Sequence, residues 1–130
     1  EFGKTLGEEL ITPTQIYIKK LFKVLDDFRD NIHGMAHITG GGFQNIKRIN
    51  ENKGYVIEKL PEIPPVFQVT QEKGNITDSE MFKTFNMGIG FIIITDNPDA
   101  VCSALKPDAH IIGFVDDSKN ILIKEKNITY

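Results

Sequence analysis

The sequence predicts an α+β fold, a layered α/β sandwich with a mixed sheet of four or more strands covered by helices. Three observations carry this expectation. Apolar residues recur at helical spacing from Tyr17 to Phe28. Residues 88–95, GIGFIIIT, form a run rich in β-branched side chains. Strand-like and helix-like segments alternate along 130 residues, a length that fits one domain with a real core.

The elements follow in order. Residues 1–14, EFGKTLGEELITPT, contain no compact element of their own, and no Met opens the chain. They read as a linker or tail from an upstream domain, with residues 15–130 as the domain proper. QIYI at 15–18 has strand composition but is short. In the helix that follows, Tyr17, Ile18, Leu21, Phe22, Val24, Leu25 and Phe28 supply the apolar stripe, and Asp30 and Asn31 mark its stop. His33 to Thr39 reads as a buried strand, and Phe43 to Ile49 as a short helix with Phe43, Ile46 and Ile49 on one face. Residues 55–60 alternate as a strand does, until Pro61, Pro64 and Pro65 break the pattern. Pro65 suits the first turn of a helix over 66–72, which Gly74 ends. Thr77 or Asp78 caps the next helix, to Phe85, with Thr77 and Glu80 at capping-box spacing. Residues 88–95 are expected to form a central strand. Pro98 opens a helix to Leu105, and 111–115 and 121–123 close the fold as strands joined by the turn 116–120.

Composition excludes several classes. Hydrophobic residues make up 40% and charged residues 25%, which is ordinary for a globular chain. Net charge is -3, and no basic patch invites nucleic acid. Lys19-Lys20 and Lys47-Arg48 read as solvated pairs. No apolar run approaches the ~20 residues of a bilayer span, so no membrane partner is expected. No signal peptide is visible, so Asn75-Ile76-Thr77 and Asn127-Ile128-Thr129 are taken as chance glycosylation matches. Cys102 is the single cysteine and lies in an apolar helical pattern, where packing is its role. A reducing, cytoplasmic setting is expected.

The richest stretch for function is HGMAHITGGGFQNIKR, residues 33–48. Three glycines are a poor choice inside a helix or strand but suit a tight turn or a close approach to a ligand. Followed by a helix start, Thr39, Gly40, Gly41 and Gly42 could aim backbone N–H groups at a phosphate; a plain glycine turn is the alternative. His37 stands two residues before Thr39 on the same strand face. It could bind substrate or donate a proton, or be a core histidine. His33 and His37, four apart on a strand, lie ~13 Å from each other and cannot chelate one ion, so no metal site is expected. Asn86 falls between a helix end and a strand start, and Gly88 and Gly90 leave one face of that strand entrance bare. The bland alternative is a helix cap by Asn86 and glycines that relieve crowding. The carboxylate pairs Glu8-Glu9, Asp26-Asp27 and Asp116-Asp117 read as solvated surface. No nucleophile motif and no Walker-type phosphate loop is present, so the chain alone does not look like a complete enzyme.

Three stretches together resemble one family: TLGEELITPTQIYIK at 5–19, HGMAHITGGGFQNIKR at 33–48, and PPVFQVTQEKGNITDSEMFKTFNMGIGF at 64–91. They are similar to the C-terminal domain of the aminoimidazole ribonucleotide synthetases, or phosphoribosylformylglycinamidine cyclo-ligases. The match runs over nearly the whole chain, and TGGG with N-I-x-R and a downstream TFNMGIG is far more specific than either motif alone. Phe82 and Lys83 stand where the family usually has Tyr and Arg; a lysine would meet an anion as a point charge only. The resemblance implies partial ferredoxin-like topology and a two-domain ligase of purine biosynthesis. That enzyme uses ATP to activate the formyl oxygen of formylglycinamidine ribonucleotide before ring closure. It implies ATP and Mg2+ bound mainly by an upstream domain, which also makes most of a homodimer contact, and a small-molecule substrate at the cleft between domains. The residues implied at that cleft are Thr39, Gly40, Gly41, Gly42, Asn45, Asn86 and Gly88, with His37 the weak catalytic candidate. Related ATP-dependent synthetases, such as those of formylglycinamidine ribonucleotide or selenophosphate, and a stand-alone binding domain without catalysis, remain as alternatives.

Overall fold

The computed structural model describes Gly3 and residues 5–130; Glu1, Phe2 and Lys4 of the expected tail lie outside the described residues. The tail does contain an element: α1, Leu6–Leu10. The Thr5 side chain accepts from the Glu8 N–H, and the Thr5 N–H donates to the Glu8 carboxylate at 2.8 Å. This capping box satisfies two backbone donors and lets five residues hold a helix. The expectation of a featureless 1–14 segment overlooked this T-x-x-E spacing; Glu8 stays exposed, as expected, while it caps the helix.

Helix α2, Ile18–Phe28, forms where the apolar stripe predicts it and packs against α5, Pro98–Leu105. Val24 is buried, while Ile18 and Phe22 remain exposed. Strand β1, Ile32–His37, pairs antiparallel with β3, Phe91–Thr95, and these two form a sheet of their own. The second sheet is mixed and four-stranded, in the order β4-β2-β5-β6: Gly113–Asp116, Gly54–Ile57, Ile121–Ile123 and Ile128–Thr129. Strand β2 runs parallel to β5 and antiparallel to β4. Two strand expectations need correction. Residues 88–95 do not make a central strand, because among the described residues β3 pairs with β1 alone. Nor is β1 buried; His33 and His37 are exposed. β-Branched content reports extended backbone, whereas sheet position is settled by non-local pairing.

Helix α3, Pro65–Gly74, opens on Pro65 as expected. Its stop differs: Gly74 is the last helical residue, and Asn75 takes the left-handed conformation at φ 49, which its short side chain tolerates. Helix α4, Asp78–Thr84, is capped by Thr77, which accepts from the Glu80 N–H. The reciprocal half of the box is replaced by a bond from the Thr84 hydroxyl to the Glu80 carboxylate. Residues Gly42–Arg48 form a 3₁₀ helix. The core joins both sheets through Phe43, Phe82, Ile38, Ile46, Met81, Ile121 and Ile123. Among the described residues no helix is long and apolar enough to cross a membrane.

The connection from β4 to β5 does not close a hairpin, since β2 lies between those strands. Residues 117–120 instead pass over the start of β2 at Gly54. A Cβ there would lie 1.9 Å from Asp116 Oδ1 and 2.1 Å from Ser118 Oγ. The Ser118 hydroxyl, and then the Ser118 N–H at 2.9 Å, hold the Asp116 carboxyl below the ordinary carboxylate value. The Lys47 ammonium donates to the carbonyls of Lys53 and Lys119, so it ties this crossing together instead of standing free in solvent. Gly113 is tighter still, with 1.8 Å from its missing Cβ to the Val56 carbonyl oxygen.

Two outcomes follow from these contacts. Gly113→Ala meets backbone, and overpacking of that kind costs about 1–3 kcal/mol. Gly54→Ala meets side-chain ends that can rotate. Urea midpoints should therefore fall further for Gly113→Ala, and the reverse order would refute this reading of β4. Asp78 accepts from the Gln71 amide and sits 3.1 Å from the Lys126 ammonium, and both hold its carboxyl below the usual value. A depressed folded pKa stabilises above the unfolded pKa of about 4, and that stability is lost as pH falls through the folded value. Asp78→Asn should be less stable than the parent at pH 7, with the gap closing below about pH 4.

Candidate functional site

The two stretches singled out in the sequence meet at one point. Gly42 takes φ +52, and a Cβ on it would lie 2.1 Å from the Phe82 carbonyl oxygen and 2.9 Å from that of Phe85. The glycine is required both by its left-handed backbone and by this approach to the end of α4. Phe43 packs on Phe82 with ring centroids 5.5 Å apart, and both are fully buried. Each such burial is worth roughly 1.5–3 kcal/mol, so the glycine loop is docked firmly on the junction that carries Asn86.

The loop itself is held from inside. Asn45 is 3% exposed and donates its amide to the carbonyls of Thr39 at 3.2 Å and Gly40 at 3.3 Å. The Gly42 N–H also donates to the Thr39 carbonyl at 2.9 Å, and Gln44 N–H to that of Gly41. Carbonyls thus point at protein donors. The N–H groups of Gly40 and Gly41, both exposed, have no hydrogen-bond acceptor among the described residues. Gly41 is left-handed at φ +96, and nothing lies within 4 Å of a Cβ on Gly40. Asn45 is buried and holds the loop through its two bonds.

At the junction, Asn86 does not cap α4; Phe85 occupies that place. The Asn86 Oδ1 accepts from the Gly88 N–H at 3.0 Å, closing a turn through Met87 and Gly88, which are left-handed at φ 50 and φ 92. Its side-chain amide group has no acceptor among the described residues and is half-buried. The bare faces of Gly88 and Gly90 are filled from within the chain. Cβ atoms there would lie 2.5 Å from Pro64 Cδ and 1.9 Å from the Tyr17 hydroxyl. Gly88 therefore packs against Pro64.

His37 lies at the other lip of the loop. It is the register partner of Phe91 in the β1–β3 pair. The two rings stack at 6.0 Å and 28°, and Tyr17 meets His37 edge-on at 5.9 Å and Phe91 at 5.5 Å. Burial pushes the Tyr17 phenol up, with Lys20 opposing. Sequence reasoning read Tyr17 as a helix residue and Phe91 as strand core, because cross-strand register is not written locally. His33 pairs with Asp96 at 3.1 Å. Among the described residues no three His, Cys, Asp or Glu side chains gather as a metal site. Cys102 is half-buried and donates to the Ala109 carbonyl.

Gly42→Ala should destabilise by at least about 2 kcal/mol, from left-handed strain plus the clash with backbone. Gly40→Ala, with open space and ordinary φ, should stay within about 0.5 kcal/mol of the parent. Thermal melts of the two variants check this ordering, and equal losses would show that the loop is not docked as described.

The chain matches the family described as AIR synthase related protein, C-terminal domain, over residues 1–124. It is 46% identical over 98% of its length to a phosphoribosylformylglycinamidine cyclo-ligase of Methanococcus maripaludis strain C6, and covers 37% of that protein. With the cyclo-ligase of Methanocaldococcus jannaschii it shares 45% over 92% of its length, covering 36%. The chain therefore spans little more than a third of the relatives it matches. Among solved structures, a chain of a HypE–HypF complex superposes with a TM-score of 0.64 at 22% identity, covering 95% of this chain and 45% of that one. That likeness supports the α+β fold.

Proposed function

We propose a function on one premise: this chain belongs to the AIR synthase related protein family, as its C-terminal domain. The whole protein is a phosphoribosylformylglycinamidine cyclo-ligase working in the cytoplasm. ATP phosphorylates the formyl oxygen of formylglycinamidine ribonucleotide, a nitrogen attacks the activated carbon, and phosphate leaves with that oxygen as the imidazole closes. Residues 1–14 lead in from an upstream domain that holds ATP and Mg2+ and makes the homodimer contact. Among the described residues no three His, Cys, Asp or Glu side chains gather as a metal site.

The observation that carries the proposal is the pair of free N–H groups at Gly40 and Gly41, with Asn45 turning the neighbouring carbonyls away. Successive unpaired amides in a left-handed turn make a concave donor site for an anion. The substrate's ribose phosphate is such an anion. Asn86, with its Oδ1 fixed by Gly88 and its side-chain amide free, donates to the amide or amidine end of the substrate.

Gly40→Val and Asn86→Ala in the whole protein test this. Valine fits the open space at Gly40 but shields the amides, so KM should rise at least tenfold while the melt stays unchanged. Asn86→Ala should lower kcat/KM by about 2–4 kcal/mol of transition-state stabilisation, against a loss of about 1 kcal/mol in stability. Parent-like kinetics in a folded Gly40→Val enzyme would remove the loop from the site.

A further inference from the structure

We propose that Tyr17, His37 and Phe91 form an aromatic platform for the planar amidine, and then the imidazole, of a phosphorylated ligand whose phosphate rests on Gly40 and Gly41. The inference deepens the proposed function and rests on the anion site at that loop. Its own basis is separate. Three rings from three parts of the chain converge within 5.5–6.0 Å of one another. His37 is exposed and Tyr17 and Phe91 are half-buried, so ring surface stays open. Gly90 makes room for the Tyr17 hydroxyl; any side chain there would displace that ring from the cluster.

The placement fits one ligand class. His37 and Thr39 point to the same face of an extended segment, because side chains alternate along a strand. The Ile38 N–H donates to the Gly90 carbonyl at 2.9 Å, so extended pairing continues past the end of β1 toward the loop. Three residue steps lead from His37 to Gly40, a run of about 10 Å if extended, which a ribose and its 5′ carbon can bridge. An amidinium is a planar cation, and aromatic faces attract planar cations through their quadrupoles. A neutral imidazole product keeps the stacking and loses the charge term, which favours release after ring closure.

The test uses the whole protein with this domain segmentally isotope-labelled, titrated to millimolar concentration with ribose 5-phosphate and, separately, with formylglycinamidine ribonucleotide. Both ligands should shift the Gly40 and Gly41 amides. The amidine-bearing ribonucleotide should bind about tenfold more tightly and also shift the ring protons of Tyr17, His37 and Phe91. His37→Ala, at an exposed position, and Phe91→Leu, which keeps apolar bulk, should each erase much of that advantage and leave ribose 5-phosphate binding as it was. Equal affinity for the two ligands, or an advantage that survives both substitutions, would overturn the platform while leaving the anion site standing. Silence at Gly40 and Gly41 with both ligands would overturn the anion site and the platform together.

Discussion

The approach of Gly42 to the carbonyl end of α4 is the contact on which the candidate site depends. Two segments forty or more residues apart are brought together there, with no side chain between them. Phe43 and Phe82 seal the contact from the core side. Hydrophobic burial supplies the energy, and the missing Cβ supplies the geometry. A residue of any other type at position 42 would hold the loop off the junction and separate its amides from Asn86.

Backbone strain gathers at this same place. Gly41 and Gly42 are left-handed in one segment, and Met87 and Gly88 in the other. Met87 is the costly member, since a residue with a Cβ crowds its own carbonyl in that region. Its side chain is 3% exposed, so burial offsets the strain and Asn86 fixes the turn through the Gly88 N–H. Residues held in sparse backbone regions persist when their surroundings over-determine them, and such residues cluster at binding sites. Two adjoining turns, each locked by an asparagine, give a rigid surface with its donors already aimed. Asn45 acts from inside the loop and Asn86 from within its own turn.

The division of the strands into two sheets gives this surface its frame. The β1–β3 pair carries the glycine loop at one end and the aromatic trio beside it. The four-stranded sheet anchors the pair through shared core residues such as Ile121 and Ile123. The crossing of residues 117–120 over Gly54 knits β4, β2 and β5 into one unit. A rigid scaffold with polar turns at one edge is the usual way a domain presents a binding surface to a neighbour.

The sequence by itself determined the element types, since the stripe from Tyr17 to Phe28, the prolines at 65 and 98 and the cap at Thr77 are local signals. It also marked the 39–42 and 86–90 segments, through glycines that local structure alone does not need. Tertiary structure decided what those glycines are for. Gly42 admits the end of α4, Gly88 admits Pro64 and Gly90 admits Tyr17, while Gly40 faces open space. Pattern cannot separate these cases, because a glycine reports that something comes close and not what. That Asn45 is buried and bonded to the Thr39 and Gly40 carbonyls was likewise decided by the tertiary structure. The place of β3 beside β1 alone and the meeting of His37 with Phe91 were decided by strand register, a pairing between residues more than fifty positions apart that no local window contains.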